Sequence, residues 1–118
     1  MRNRFATSAS TASTAPACWQ REGPSPCLRV ELLNGDAHLF SYQHFVTAVL
    51  TRNGDGAETL QAMFSTHELA IEGKGLRDLL LNLQDFAVKW VRPSPNRYHA
   101  LADNTDGIIT TISINVVE

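Results

Sequence analysis

Four histidines are among the side chains of this sequence that can carry out chemistry, and their spacing limits what they can do. His38 and His44 stand at the two ends of a run of alternating residues, which predicts that both imidazoles point to one face of a strand. Six residues of strand span about 20 Å, so these two rings would lie too far apart to share a metal ion. We therefore predict no metal site and no bound cofactor.

Two further patterns begin like catalytic motifs and do not complete them. His67-Glu68 starts like the HExxH helix of zinc peptidases, but the second histidine is absent and the local pattern is that of a strand. Ser65 would share a strand face with His67, yet no third group and no G-x-S-x-G turn accompany the pair. The sequence therefore indicates no catalytic residues. An enzyme that uses His38, His44 or His67 on a sheet face is kept as an alternative.

The main binding candidates lie in a basic and aromatic segment. No acidic residue occurs between Asp85 and Asp103, and the interval contributes five predicted ligand-binding residues: Lys89, Trp90, Arg92, Arg97 and Tyr98. Cations with interleaved rings can hold phosphates and stack on bases. The net charge of −2 gives no general attraction to a phosphate backbone. The competing interpretation is that Trp90 belongs to the core and the cations are solvated.

A second binding candidate precedes the clearest helix. Gly73-Lys74-Gly75 leads into a segment with Arg77 in its first turn, and free amides at a helix start attract anions. Lys74 and Arg77 are therefore also predicted to bind a ligand. The pattern G-x-x-x-x-G-K-[ST] of a phosphate-binding loop is absent. The competing interpretation is a strand-to-helix turn that needs glycine for its backbone angles.

Hydrophobic periodicity predicts the elements that would position these residues. Alternation predicts a hairpin with a two-residue turn at Asn34-Gly35, and further strands over 42–51, 58–65, 69–71, 87–91 and 108–117. Helix is an alternative for residues 42–51, because the run is short. One apolar stripe predicts a helix packed on the sheet, and it consists of Leu76, Leu79, Leu80 and Leu83. Leu81 lies off this stripe and is a candidate for contact with a partner.

The first 26 residues differ in composition from the rest of the chain. Ser, Thr, Ala and Pro dominate, with Phe5 and Trp19 as the only aromatic side chains, so we predict a disordered tail over residues 1–26. Arg2 and Arg4 resemble the composition of an organelle transit peptide, and an unstructured leader or an upstream start codon is the alternative. Residues 27–118 are predicted to form a single small domain.

These elements predict an α+β fold, a mostly antiparallel sheet of five to seven short strands with one amphipathic helix packed on one face. No stretch is long and apolar enough to span a membrane, so we predict a soluble, cytoplasmic protein with no membrane partner. The segment FSTHELAIEGKGLRDLL resembles a strand–turn–helix unit of a small bacterial domain, which implies no function by itself.

The missing catalytic constellation and a small sheet with at least one edge favour a non-enzymatic binding or assembly module. Its predicted partner is a second copy of the chain, because exposed strand edges promote self-association. The alternative is a binder of nucleic acid or of a phosphorylated ligand through the basic and aromatic residues. Strand order, and which histidines meet in space, are left open by the sequence.

Overall fold

The computed structural model describes residues 17–95 and 107–117. Within them the chain forms eight strands, one 3-10 helix and one α-helix. In chain order these are β1 (Trp19–Arg21), β2 (Cys27–Glu31), β3 (Ala37–Ser41), the 3-10 helix (Tyr42–His44), β4 (Phe45–Arg52), β5 (Glu58–Phe64), β6 (His67–Lys74), α1 (Arg77–Gln84), β7 (Val88–Val91) and β8 (Ile108–Val116).

The strands form two four-stranded sheets. The first sheet has the order β1-β7-β2-β3, in which β2 and β7 run parallel and the other neighbours run antiparallel. The second sheet has the order β4-β5-β6-β8 and is antiparallel throughout. The combination of mainly sheet with one helix agrees with the predicted α+β class. The prediction of one sheet with five to seven strands is wrong, because the chain divides its strands between two sheets.

The predicted hairpin of β2 and β3 forms, with a longer turn than predicted. The two strands pair as far as Glu31 and Ala37, so the loop covers residues 32–36. In this loop only Gly35 has a positive φ, of 96°, whereas a two-residue Asn-Gly turn needs positive φ at both residues. Backbone hydrogen bonds from Leu32 to Asp36 and from Gly35 to Leu32 close the longer loop instead.

A 3-10 helix replaces the first three residues of the strand that was predicted over residues 42–51, and the rest of that strand forms as β4. Tyr42 is buried, and its hydroxyl donates a 2.6 Å hydrogen bond to the carbonyl of Val88 in β7. Ser41 caps the 3-10 helix, because its Oγ accepts a hydrogen bond from the N–H of Gln43. The chain therefore leaves the first sheet at the end of β3 and enters the second sheet at the start of β4.

Helix α1 forms where the leucine stripe predicts it. Leu79 and Leu83 are buried, Leu80 packs partly buried against the core, and Leu76 occupies the N-cap position. The helix contacts β4 and β7, one strand of each sheet. A helix this short gains most of its stability from such packing. In the described part of the chain, no helix is long and apolar enough to cross a membrane.

One hydrophobic core joins both sheets and the helix. Its fully buried side chains include Leu28, Val30, Leu60, Leu69, Ile71, Leu79, Leu83 and Val91. Burial of each of these contributes roughly 1.5–3 kcal/mol. Over residues 17–95 and 107–117, the buried side chains are apolar or aromatic apart from Cys18 and Ser94. A functional site therefore has to lie at a rim, at a sheet edge or on an outer face.

The predicted tail boundary at residue 26 falls inside folded structure. Cys18 is buried in the core, and Trp19–Arg21 forms β1 at one edge of the first sheet. The N–H of Glu22 donates a 2.9 Å hydrogen bond to the carbonyl of Ala87. The prediction of disorder is therefore wrong for residues 17–26, because core contacts and strand pairing offset the ordering entropy of this polar segment. Residues 1–16 of the predicted tail lie outside the described residues.

Candidate functional site

Strand β4 lies at one edge of the second sheet. It pairs with β5 on one side, and no described strand pairs with its other side. Its sequence, FVTAVLTR, contains no acid and no proline, and its one cation, Arg52, is the last residue. Val46 and Val49 are 65% and 48% exposed. Soluble proteins usually protect such edges with charge, proline or a covering segment, so β4 presents a surface to which a further strand can pair.

An apolar groove of about 350 Å³ lies beside this edge, between β4 and α1. Its lining consists of Phe45, Ala48, Leu80, Leu81, Leu83 and Gln84. Leu81 is 43% exposed, in agreement with its predicted position off the buried stripe. Because Phe45 and Ala48 belong to both the strand and the groove, the two form one continuous surface. We call the edge of β4 together with this groove the β4 surface.

Phe86 extends the β4 surface and has an unusual backbone conformation. Its φ of 56° makes it the one non-glycine residue of the described chain with a positive φ. The backbone hydrogen bonds after α1 follow the Schellman pattern, in which glycine usually occupies this position. A bulky residue there costs about 1–3 kcal/mol. The ring is 42% exposed, stacks on Tyr42 at 5.0 Å and lies edge-on to Phe45.

The structure separates the predicted ligand-binding residues between the two sheets. Lys89 and Trp90 lie on β7, and Arg92 follows directly after it. Lys74 ends β6 in the second sheet, and Arg77 begins α1. The remaining two, Arg97 and Tyr98, lie outside the described residues.

The members of this set on the first sheet all have intramolecular partners. Lys89 Nζ lies 2.9 Å from a carboxylate oxygen of Glu22. Trp90 Nε1 donates a 2.7 Å hydrogen bond to the side chain of Gln20, so the indole lies on an outer face and not in the core. The guanidinium of Arg92 lies 4.7 Å over the Trp90 ring. A phosphate ligand would have to compete with these contacts, and its binding stays a prediction.

Contacts within the protein also account for the glycine-rich turn before α1. A Cβ on Gly73 would collide with the backbone carbonyl of Ile108 in β8, so glycine is required there by the close approach of two strands. The N–H of Leu76 donates a 2.8 Å hydrogen bond to Oε1 of Glu58. An anion at this helix start would meet that carboxylate. These contacts favour the structural interpretation of the glycines, and the predicted anion site stays a prediction.

Three histidines line one depression of about 330 Å³, which we call the histidine depression. Its lining residues are His38, Leu39, Phe40, Ser41, His44, Phe64, Thr66 and His67. A regular strand would separate His38 from His44 by about 20 Å. The 3-10 helix ends that strand at Ser41 and turns the chain, so both rings line the same cavity. The prediction that these two histidines lie along one strand face is therefore wrong.

Contacts among aromatic rings fix the geometry of the histidine depression. The ring of Phe40 has three neighbours, at centroid distances of 5.2 Å to Phe64, 5.4 Å to His67 and 6.2 Å to His38. The carbonyl of His44 accepts a 2.7 Å hydrogen bond from the N–H of Ser65, in the turn between β5 and β6. In the part of the chain that the structure describes, no group of His, Cys, Asp or Glu side chains is arranged to hold a metal ion.

Sequence reasoning missed two parts of these sites. It identified the histidines one by one, but the bend that brings them together has no strong local signal in a run of aromatic and β-branched residues. It also missed Phe86. A signal for Phe86 does exist, because the helix pattern ends through Asp85-Phe86 without the glycine or asparagine that a helix end usually has.

Comparison with known proteins adds no assignment to this geometry. No protein-family model matches the chain, no curated protein matches it, and no solved structure matches it.

Proposed function

We propose that this protein is a non-enzymatic assembly module that pairs with a second copy of itself along the β4 surface. The observation that carries the proposal is an edge strand of eight residues, uncharged before its last residue, that lies beside an apolar groove. An open strand edge offers main-chain hydrogen bonds, and neighbouring apolar side chains offer anchors. Both components of strand addition are thus present on one surface.

The composition of the β4 surface suits pairing with an identical copy. In a two-fold interface both partners use the same surface, so a residue near the axis lies close to the same residue of the other copy and must not repel it. Val46, Val49 and Leu81 are uncharged, and their exposed apolar area loses contact with water when two copies meet. Antiparallel pairing of two β4 strands would join two second sheets into one continuous sheet.

The strained conformation of Phe86 gives the proposal a second support. Backbone strain is retained where the side chain it presents has a use, and such positions concentrate at binding and switch sites. Aromatic side chains, phenylalanine among them, are also enriched at protein interfaces. Phe86 therefore serves as an aromatic anchor at the end of the β4 surface nearest the 3-10 helix.

The other described sheet edges are less suited to pairing. β1 has three residues, and β3 has five. β8 is longer, but the N–H of Ser94 donates a 2.7 Å hydrogen bond to the carbonyl of Ile109 and so covers its first part. The β4 edge combines length with access.

Val49→Lys tests the proposal, and Ser113→Lys is its matched control. Both positions belong to one cross-strand row on the outer face of the second sheet, which runs Val49, Gln61, Ala70 and Ser113. Lysine at either end is solvent-exposed in the monomer, but only at Val49 does it bring like charges together between two copies. We expect Val49→Lys to weaken the dimer by about 100-fold and Ser113→Lys to leave it unchanged.

Sedimentation equilibrium and native mass spectrometry measure this outcome, from about 1 µM to about 1 mM protein, the range in which weak specific dimers dissociate. Circular dichroism checks that both variants are folded. A wild-type chain that remains monomeric throughout contradicts the proposal. A dimer that Ser113→Lys disrupts and Val49→Lys preserves contradicts the assignment to β4.

A further inference from the structure

The histidine depression has the size and the floor of a site for a small planar molecule. Its volume of about 330 Å³ lies at the lower end of the range for small-molecule sites, about 300–1,000 Å³. Phe40 and Phe64 are both buried, and their rings lie 5.2 Å apart. The ring of His38 is stacked on Phe40 with an interplanar angle of 14°. Flat aromatic faces of this kind favour a ligand that is itself aromatic.

The rim of the depression is rich in hydrogen-bond donors. It consists of the imidazoles of His38, His44 and His67 together with the hydroxyls of Ser41 and Thr66. An imidazole keeps at least one N–H donor whether it is neutral or charged. No acidic side chain is among the lining residues. A bound anion would therefore meet donors without meeting a like charge.

Glu68 is the acidic residue next to the rim in sequence, and it lies on the face of β6 opposite to His67. Glu68 follows His67 in β6, and it is paired with Met63 on one side and Asn115 on the other. Successive strand residues point to opposite faces, so Glu68 belongs to the outer face of the second sheet. The depression is thus separated by the sheet from the negative charge closest to it in the chain.

Local hydrogen bonds orient the ring of one rim imidazole and fix the backbone that carries a second. Thr66 Oγ1 lies 2.8 Å from His67 Nδ1, which orients this ring and occupies one of its two nitrogens. The bond from Ser65 N–H to the carbonyl of His44 ties the 3-10 helix to the turn between β5 and β6. A rim held in this way loses little conformational entropy when a ligand binds.

We propose that the histidine depression binds a small aromatic carboxylate. The ring of the ligand lies against Phe40 and Phe64, and its carboxylate accepts hydrogen bonds from the rim imidazoles. Charge-assisted hydrogen bonds of this type are about twice as strong as neutral ones, which selects the anion over an uncharged ligand of the same shape. The site shares no lining residue with the β4 surface and does not depend on assembly.

Benzoate, benzamide and acetate form a matched set of probes. Benzamide keeps the ring without the charge, and acetate keeps the charge without the ring. Side-chain NMR spectra of the full chain, recorded during titration with each probe, report on the imidazole and phenylalanine signals. We expect saturable shifts at His38, His67 and Phe40 with benzoate, and binding about tenfold or more weaker with either of the other two, because each lacks one of the required contacts.

Two single variants connect the binding to the rim. His38→Leu and His67→Leu replace the imidazole by a side chain without a hydrogen-bond donor, and each should weaken benzoate binding by about tenfold, as expected for the loss of one hydrogen bond to a charged group. Gln61→Ala, on the outer face of the second sheet, is the control and should leave binding unchanged. Equal binding of benzoate and benzamide overturns the proposal, and so does benzoate binding that neither histidine variant changes. Shifts produced by zinc chloride and not by benzoate would also overturn it.

Discussion

The two edges of the second sheet, β4 and β8, resemble each other in sequence and differ in their surroundings. Both strands are free of charge in their interior, since β4 reads FVTAVLTR and β8 reads IITTISINV. Beside β4 lies an apolar groove. Beside β8 lie Pro93 and the loop after β2, which line a shallow depression together with residues 110–112. The bond between Ser94 and Ile109 fastens this cover to the strand.

The exposed residues of the two edges are of similar kinds. Val49 and Ser113 stand at opposite ends of one cross-strand row. The exposed positions near them are Val46, Thr47 and Thr51 on β4 and Thr111, Asn115 and Val116 on β8, of which Val116 is 69% exposed. Both edges thus expose a mixture of polar and apolar side chains to water. The comparison teaches that an uncharged strand is protected or available according to segments far away in the chain, and not according to its own composition.

Gly73→Ala tests the β8 edge, and we expect it to have the largest effect of the substitutions considered. Gly73 lies at a register shift between β6 and β8, and a Cβ there would collide with the carbonyl of Ile108. Relief requires the start of β8 to move away from β6. We expect the free energy of unfolding to fall by about 3 kcal/mol or more, which urea denaturation measures.

Gly54→Ala is the control for this substitution. A Cβ on Gly54 meets nothing within 4 Å, so its stability should change by no more than about 0.5 kcal/mol. Hydrogen exchange of backbone amides adds a local measurement. In Gly73→Ala the amide of Ile109 should exchange faster than in the wild type, whereas the amide of Leu50 in β4 should remain protected from exchange. Equal stability of the two alanine variants would show that β6 and β8 do not approach each other in this way.

The sequence predicted those parts of the fold that rest on local signals. The leucine stripe identified α1, and alternation identified the strands of the β2–β3 hairpin. The division into two sheets depends on pairings that no local pattern contains. β1 is held by β7, and the side-chain bond between Gln20 and Trp90 joins residues 70 positions apart. Such contacts become visible only when the chain is folded, and for this reason the tail boundary was placed too late.

The candidate sites follow the same rule. Leu81 could be identified because a helical stripe defines which positions are left outside it. The histidine depression could not, because it depends on a bend at Ser41 and on a turn between β5 and β6 that meet in space. Phe86 joins the β4 surface only through its contacts with Tyr42 and Phe45.

Phe86→Gly and Phe86→Ala test the β4 surface, because together they separate the backbone strain at this position from the contribution of the ring. Both remove the ring that stacks on Tyr42, but only glycine also relieves the positive φ. Phe86→Gly should therefore be more stable than Phe86→Ala by about 1 kcal/mol in thermal or urea unfolding of the monomer. Both should weaken the dimer by about tenfold, because each lacks the aromatic anchor. Dimers of wild-type affinity in both variants would remove Phe86 from the interface.

A titratable group lies close to each edge, and alkaline pH should act on both. Cys18 Sγ accepts a 3.3 Å hydrogen bond from the N–H of Ile109 in β8, and burial raises the pKa of this thiol above its ordinary value of 9.0, with the Ile109 bond and Arg92 acting in the opposite direction. Tyr42 lies in the 3-10 helix before β4. Burial raises the pKa of its hydroxyl above the ordinary value of 10.0.

Both shifts favour the protonated form in the folded chain, so both contributions to stability are complete below the unfolded pKa values. As the pH rises above about 9, the unfolded chain loses a proton that the folded chain retains, and the free energy of unfolding falls by up to about 1.4 kcal/mol per pH unit for each group. Urea unfolding of the wild type should show this decline. Cys18→Ala should remove the part of this fall in unfolding free energy that begins near pH 9. Tyr42→Phe should remove the part that begins near pH 10. A flat wild-type profile over this range would contradict the burial of both groups.

A decline that only Tyr42→Phe removes would show that water reaches the Cys18 thiol beside β8. The segment that covers this edge would then be looser than the bond between Ser94 and Ile109 indicates.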